Sequence, residues 1–393
     1  MHFADRFKAL DQFLTEHQAL WRPRPFYNLS LDWEHTHPEL AAWLRSQDLA
    51  HAEQHHTHPQ HLKAPAPFNQ WAAKAHALTE VEALQQDVPQ ASEPTGVPGR
   101  KWQQIQAFAS ALRFNQAPTH YLDWCAGKGH LGRHLAQHSA ALTLAEYDPY
   151  LVEQGALLSQ KQRINATHLC QDVLHPSAAR LLSSGVTPVA LHACGDLHSQ
   201  LIRLAASQQC QQLAIAPCCY NRISASHYAP LSAAGQSSKL QLSIEDLALP
   251  LSETVTAGSR VRRQRDQSMA WRLGFDLLQR QVRGTNQYLP TPSLPSHWLN
   301  TSFKAFCEHL AHCKGLSLPT DVDWESLEAQ GLKRLSQVRN LELVRALFRR
   351  PMELWLVLDK ALYLEEHGYQ VNVGTFCEHS LSPRNLLLCA ERL

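Results

Sequence analysis

A chain of 393 residues that is 44% hydrophobic and 18% charged can bury a sizeable core, and it is neither low-complexity nor disordered. Its 36 Lys and Arg nearly cancel its 35 Asp and Glu, leaving +1, which excludes a basic coat for nucleic acid but not a local basic patch. Apolar runs such as residues 352–358 stop far short of the roughly 20 residues a membrane span needs, and residues 1–13 carry Asp5, Arg6, Lys8 and Asp11 without the apolar centre of a signal peptide. A soluble, cytoplasmic protein is expected.

Residues 1–95 read as a helical N-terminal region, with apolar residues at helical spacing over 3–14, 40–49 and 72–84. Substrate recognition is its candidate role. The histidines between them (His51, His55, His56, His58 and His61) read as a solvated polar linker in preference to a metal site, which needs fixed geometry. A Pro/Gly-containing run at 89–99 leads into the next unit, 96–393. There the pattern alternates: helix 102–112, strand 120–125, helix 131–138, strand 141–147, helix 151–161, a strand around 168–170, helix 177–183, strand 188–193, helix 199–207 and strand 212–216. Strands alternating with helices of this length predict right-handed βαβ units and a parallel sheet, an α/β fold.

An insertion at about 225–340 breaks that rhythm. Within it Arg260, Arg262, Arg263, Arg265, Arg272, Arg280 and Arg283 face only Asp266 and Asp276, and a second basic group (Lys333, Arg334, Arg339, Arg345, Arg349 and Arg350) is opposed only by Glu342. After a helix over 354–366, strand-like runs at 369–376 and 385–390 are joined by a connection too short for a helical crossover, so they pair antiparallel. Of the ten cysteines none forms a CxxC pair, and no disulfide framework is expected. Cys170, Cys210 and Cys389 read as small buried hydrophobes.

The strongest local signal is Tyr-Leu-Asp-Trp-Cys-Ala-Gly-Lys-Gly-His-Leu-Gly, residues 121–132, at a strand end opening a helix. Glycines there let backbone approach a ligand, and the helix start offers free N–H groups. The spacing satisfies the dinucleotide fingerprint, but Asp123 in the strand and the closing antiparallel pair argue against a nicotinamide cofactor. An acid at that place suits a ligand with a positive amino group, such as S-adenosylmethionine. Cys125, Ala126, Gly127, Lys128 and Gly129 form the binding loop. Glu146 ends the second strand of the alternating set, placed to accept from ribose hydroxyls. Asp172 follows the third, placed for the adenine amino group, with Val173 beside the ring.

Asp-Trp-Cys-Ala-Gly-Lys-Gly-His-Leu (123–131), Leu-His-Ala-Cys-Gly-Asp-Leu (191–197), Cys-Cys-Tyr-Asn (218–221) and Ser-Pro-Arg-Asn-Leu (382–386) resemble the class I methyltransferase family of methyltransferase-like and rRNA adenine dimethylase domain-containing proteins, and more distantly the eukaryotic tRNA 2′-O-methyltransferases. The resemblance implies a Rossmann-like, seven-stranded, mostly parallel sheet with an antiparallel terminal hairpin, and S-adenosylmethionine as cofactor.

Methyl transfer needs an aligned nucleophile and, where required, a base. Catalytic candidates are therefore the residues after the fourth and fifth strands: His192, Cys194 and Asp196, then Cys218, Cys219, Tyr220 and Asn221. His192, also beside the cofactor, is a base or a loop anchor, and Asp196 is a catalytic group or a helix cap. The cysteines are either covalent nucleophiles or an apolar pocket wall, the second being preferred. No metal and no obligate protein partner is expected. The Arg260 to Arg283 segment, with Trp271 and Tyr288 nearby, suits RNA, so the leading expectation is an S-adenosylmethionine-dependent methyltransferase of tRNA or rRNA. Alternatives are a protein or small-molecule acceptor, with the arginines a solvated face outside Met269, Leu273 and Leu277, or a non-catalytic RNA-associated binder.

Overall fold

β6 (Gln212–Cys218) is buried at all seven positions, and from Leu213 onward it is the continuous apolar run demanded of a strand covered on both faces. Around it the computed structural model, which describes residues 2–84, 97–136, 140–253 and 258–393, builds one eight-stranded sheet. Its other strands are β1 (Glu82–Ala83), β2 (His120–Trp124), β3 (Ala141–Glu146), β4 (Ala166–Cys170), β5 (Thr187–Cys194), β7 (Tyr369–Thr375) and β8 (Leu386–Arg392). The order is β1-β7-β8-β6-β5-β2-β3-β4. Every neighbouring pair is parallel except the two made by β8, which runs antiparallel to both β6 and β7. The fold is the expected Rossmann-like α/β arrangement with its antiparallel closing hairpin. β1 is an addition to the seven expected strands: two exposed residues, too few to show alternation, that pair with β7 at the edge.

The chain divides into two compact units, one of Met1–Thr15, Leu78–Ser252 and Arg350–Leu393, the other of Glu16–Ala77 and Glu253–Arg349. The stretch 1–95, expected as one region, is thus shared between them. The expected insertion at 225–340 is displaced as well, because residues 226–252 fold with the sheet. Asp359, fully buried, holds them there by accepting from Tyr228 Oη (2.7 Å), Leu231 N (2.9 Å), Ser232 N (3.0 Å) and Ser232 Oγ (2.7 Å). Of the expected linker at 89–99, residues 89–96 lie outside the described residues, while Val97 is buried and Gly99 opens a helix.

In the sheet unit, helix Gly99–Ala111 lays Trp102, Ile105 and Phe108 against Val189, Ala214 and Leu387 of β5, β6 and β8. Helix Asp196–Ser207 packs on β5 and β6 and buries Leu201, Ile202 and Ala205. Helix Pro149–Lys161 starts where Pro149 fixes φ and the Asp148 carboxylate accepts from Tyr150 N. Cys210 and Cys389 are buried as expected, whereas Cys170 is exposed, because the edge strand β4 leaves that face uncovered.

The second unit is helical, built on Ser259–Arg283, Phe303–Cys313 and Trp324–Ala346. The histidine stretch is no linker: it forms helix Leu49–His55 and the 3-10 turn Pro59–His61. His51 Nδ1 lies 2.7 Å from Asn340 Oδ1, while loss of water, then the charge of Arg349, pushes His56 down to about 2. The basic groups are also largely structural. Asp276, 2% exposed, accepts from Arg280 Nε (2.9 Å), Arg334 Nη1 (2.5 Å) and Gln279 Nε2 (2.9 Å). Arg280 therefore points inward, not to water, and Arg272 is half-buried on Thr291 and Pro292. Arg339 pairs with Glu53, Arg345 donates to Trp21 O at 2.8 Å, and Arg349 to His56 O at 2.9 Å. Arg260, Arg262 and Arg263 remain exposed at the helix start. Among the described residues no helix is long and apolar enough to cross a membrane.

Candidate functional site

The strand order reverses at β2, which is flanked by β3 on one side and β5 on the other, and ligands of open parallel sheets sit at the carboxyl ends of strands beside such a switch. Here β2 runs into a loop in which Cys125, Gly127 and Gly129 have φ of 60°, 56° and 74°. A Cβ at Gly129 would lie 2.6 Å from Leu144 Cδ2, so the loop lies tightly on β3, whereas one at Gly127 would meet nothing within 4 Å. Gly127 therefore offers open backbone, the cradle that a ligand needs. Ala126 N donates to Ala145 O (3.0 Å), Lys128 is half-buried in the turn, and helix His130–Leu135 begins directly after Gly129.

The acids set this loop. Glu146, at the end of β3, accepts from Gly127 N (2.8 Å), Tyr147 N (2.9 Å) and Asp148 N (3.0 Å). Asp123, 3% exposed, turns inward and accepts from Gly132 N at 2.8 Å. It thereby ties the end of β2 to the first turn of helix His130–Leu135, a contact that the sequence reading, which gave it an amino group of the ligand, did not include. Asp172 is exposed and accepts from Leu174 N (2.9 Å), with Val173 buried beside it.

Burial pushes the Asp123 carboxyl up to about 7, against the lowering bond from Gly132 and the charge of Arg133. An unfolded Asp titrates near 3.9. Between those values the folded state keeps a proton that the unfolded state has lost, so this group makes stability fall as pH rises from about 4 to about 7, by roughly 4 kcal/mol. Urea unfolding at pH 5 and pH 8 checks this: the fall should be clearly smaller in Asp123→Asn, and an equal fall in both proteins contradicts it.

At the next strand ends, β5 and β6 carry the other candidates. The ladder shifts register between Leu191 and Cys194, where His192 has φ 71°, and Cys194 then pairs with Cys218. His192 is exposed, with Nε2 2.8 Å from Gln104 Oε1, which makes Nε2 the donor and leaves the lone pair on Nδ1. Loss of water around the ring, then the charge of Lys101, lowers its pKa. Asp196 clamps the neighbouring loop: its Oδ2 accepts from Ser224 N (2.7 Å) and Ser224 Oγ (2.9 Å), and its own N–H donates to Arg222 O (3.0 Å). It is therefore the first helical residue and not the cap, a position that Gly195 occupies.

Cys194 Sγ and Cys218 Sγ are 3.7 Å apart, and Cys219 Sγ joins them, all three lying within 4.8 Å of one another. Hydrogen bonds from the other two thiols, with the charges of Arg222 and Arg384, hold Cys219 well below the usual thiol range, while Cys218 is pushed up. Tyr220 turns away, 2% exposed, its hydroxyl 3.4 Å from both Pro217 O and Glu353 Oε1. Asn221 lies half-buried in the turn that follows.

The loop, its bracing acids and the paired ends of β5 and β6 fall within one sequence signature. Residues 100–226 match the family model of a methyltransferase domain. Together with the sheet order, the match supports a class I methyltransferase domain over those residues; it spans about a third of the chain and leaves out β7, β8 and the helical unit. Methyltransferase candidates that sequence reading passed over come from elements outside the quoted motifs. Gln104 reaches His192 from helix Gly99–Ala111, and Arg222 lies one residue beyond Cys-Cys-Tyr-Asn. Arg384 stands within the recognised Ser-Pro-Arg-Asn-Leu run, and that run's place beside the site is visible only once β8 is seated next to β6.

Proposed function

We propose that the protein transfers the methyl group of S-adenosylmethionine to RNA, with tRNA or rRNA as the acceptor. The observation that carries the cofactor is the open Gly127 backbone held at a strand end by Glu146. The carboxylate of Glu146 keeps acceptor capacity for ribose hydroxyls beyond its three backbone bonds, Asp172 and Val173 flank the adenine position, and the loop 125–129 takes the amino-acid portion. When bound, this cofactor supplies an electrophilic methyl on a sulfonium, open to in-line displacement. The chain's part is alignment and proton removal, and His192, with Nδ1 free of Gln104, suits the second task. For RNA, support comes from Arg260, Arg262 and Arg263, exposed at the positive start of a 25-residue helix. The inward arginines restrict that footprint to a short stretch of backbone.

Transfer of labelled methyl into total RNA tests the reading. RNase-sensitive incorporation supports it; incorporation that survives RNase moves the acceptor to protein. S-adenosylhomocysteine titration tests the cofactor separately. Glu146→Ala removes the acceptor that shapes the loop and should weaken binding about 10- to 100-fold, a loss of roughly 1.5–3 kcal/mol. Unchanged affinity in that variant would remove Glu146 from the site.

A further inference from the structure

The thiols at the ends of β5 and β6 are joined by backbone geometry that the methyl-transfer reading leaves unexplained. Cys194 and Cys218 are the last residues of adjacent parallel strands, and the shift at His192 returns them to direct pairing. Cys219, with φ 46°, keeps its sulfur with theirs instead of alternating away from them, as the next residue of an extended strand would. The two loops are locked: Gly195 N donates to Cys218 O, and Asp196 ties the 222–224 turn. None of the three cysteines is in a disulfide.

Tetrahedral thiolate ligands about 2.3 Å from zinc stand about 3.8 Å from each other. The pair Cys194–Cys218 already lies at 3.7 Å, and no pair among the three exceeds 4.8 Å. Among the described residues this is the one grouping of three His, Cys, Asp or Glu side chains close enough to share an ion. We propose that Cys194, Cys218 and Cys219 bind one Zn²⁺ through three thiolates, leaving a fourth position open. Binding displaces the thiol protons to solvent. Cys218 is buried while Cys194 and Cys219 are part-exposed, so the open position lies on their side, and it takes water or a nitrogen or sulfur donor of a substrate. Three protein ligands plus a free position are the pattern of zinc sites that act on a substrate, in contrast to the closed four-ligand structural sites. Metal content is read without cofactor or acceptor, so the proposal stands or falls apart from the methyl-transfer reading.

The test loads the reduced full chain with Zn²⁺, desalts it and measures metal by mass spectrometry, then repeats the loading with Co²⁺ and records the absorption spectrum. The expected result is one ion per chain, thiolate-to-cobalt charge-transfer bands, and loss of both in Cys194→Ser, Cys218→Ser and Cys219→Ser, with Cys313→Ser as an unaffected control. A serine at the buried Cys218 puts folding at risk, so the unmutated protein carries a second readout: Zn²⁺ should protect three thiols from a disulfide reagent. Absence of stoichiometric metal, metal kept by the three variants, cobalt bound without charge-transfer bands, or unprotected thiols would each overturn the site.

Discussion

Asp276→Ala should destabilise the helical unit by about 3–5 kcal/mol, read as a lower urea midpoint. The carboxylate is 2% exposed and is the acid shared by Arg280 and Arg334, themselves 7% and 6% exposed. Removing it leaves two guanidinium groups in a low-dielectric interior with one fewer charge to face, which costs far more than the pair's net worth. The same arginines hold residues 26–27, since Arg280 donates to Tyr27 O (2.7 Å) and Arg334 to Phe26 O (3.4 Å), so their release also loosens that segment. Asp276→Asn keeps an acceptor of the same shape and should lose less. An Ala variant as stable as the parent would mean that these arginines reach water.

The second large effect is expected at Gly195. A Cβ there would lie 1.8 Å from Arg222 O, a backbone atom with no rotamer to escape into, and φ is +55° with ψ −119°, a conformation that side-chain-bearing residues avoid. Gly195→Ala should cost about 3 kcal/mol or more, combining backbone strain with overpacking. It should also push the 219–222 turn away from β5 and with it Cys219. Gly127→Ala is the matched comparison: φ is +56°, but the new methyl meets nothing within 4 Å, so about 1–2 kcal/mol of strain is all it should show. Thermal unfolding of both variants decides; similar losses would mean that the turn yields and that space at Gly195 is unimportant.

The alternating sheet was legible because its central strands carry their own apolar runs and the helices between them their own period, so local pattern and tertiary place agree; the two-residue edge strand β1 carries no such signal. The loop after β2 was legible for the same reason, since its glycines and Asp123 are written within a dozen residues. Legibility failed where partners are far apart in the chain. Arg339 meets Glu53 and Arg345 meets Trp21 O, contacts spanning 286 and 324 positions, so a run that reads as unbalanced charge is an interior network. His51 and His56 read as solvated because Asn340 and Arg349 are not near them in sequence. The thiol cluster hides from spacing rules because parallel register brings Cys194 to Cys218 across 24 positions. Asp123 was placed at the right strand end, but its inward turn depends on Gly132, which one-dimensional pattern does not orient.

The interleaving of the two units has a consequence for synthesis. The helical unit has all its residues by Arg349, before β7 and β8 have been made. A chain growing from its N-terminus can therefore complete that unit while the sheet still lacks two strands. In that interval β6, the strand bearing Cys218, has nothing on its outer flank, and its unpaired N–H and C=O groups form an open edge of the kind that recruits foreign strands. Arrival of Leu386–Arg392 closes it, so slow translation or early termination beyond residue 349 should show as aggregation well before any chemistry at the site is measured.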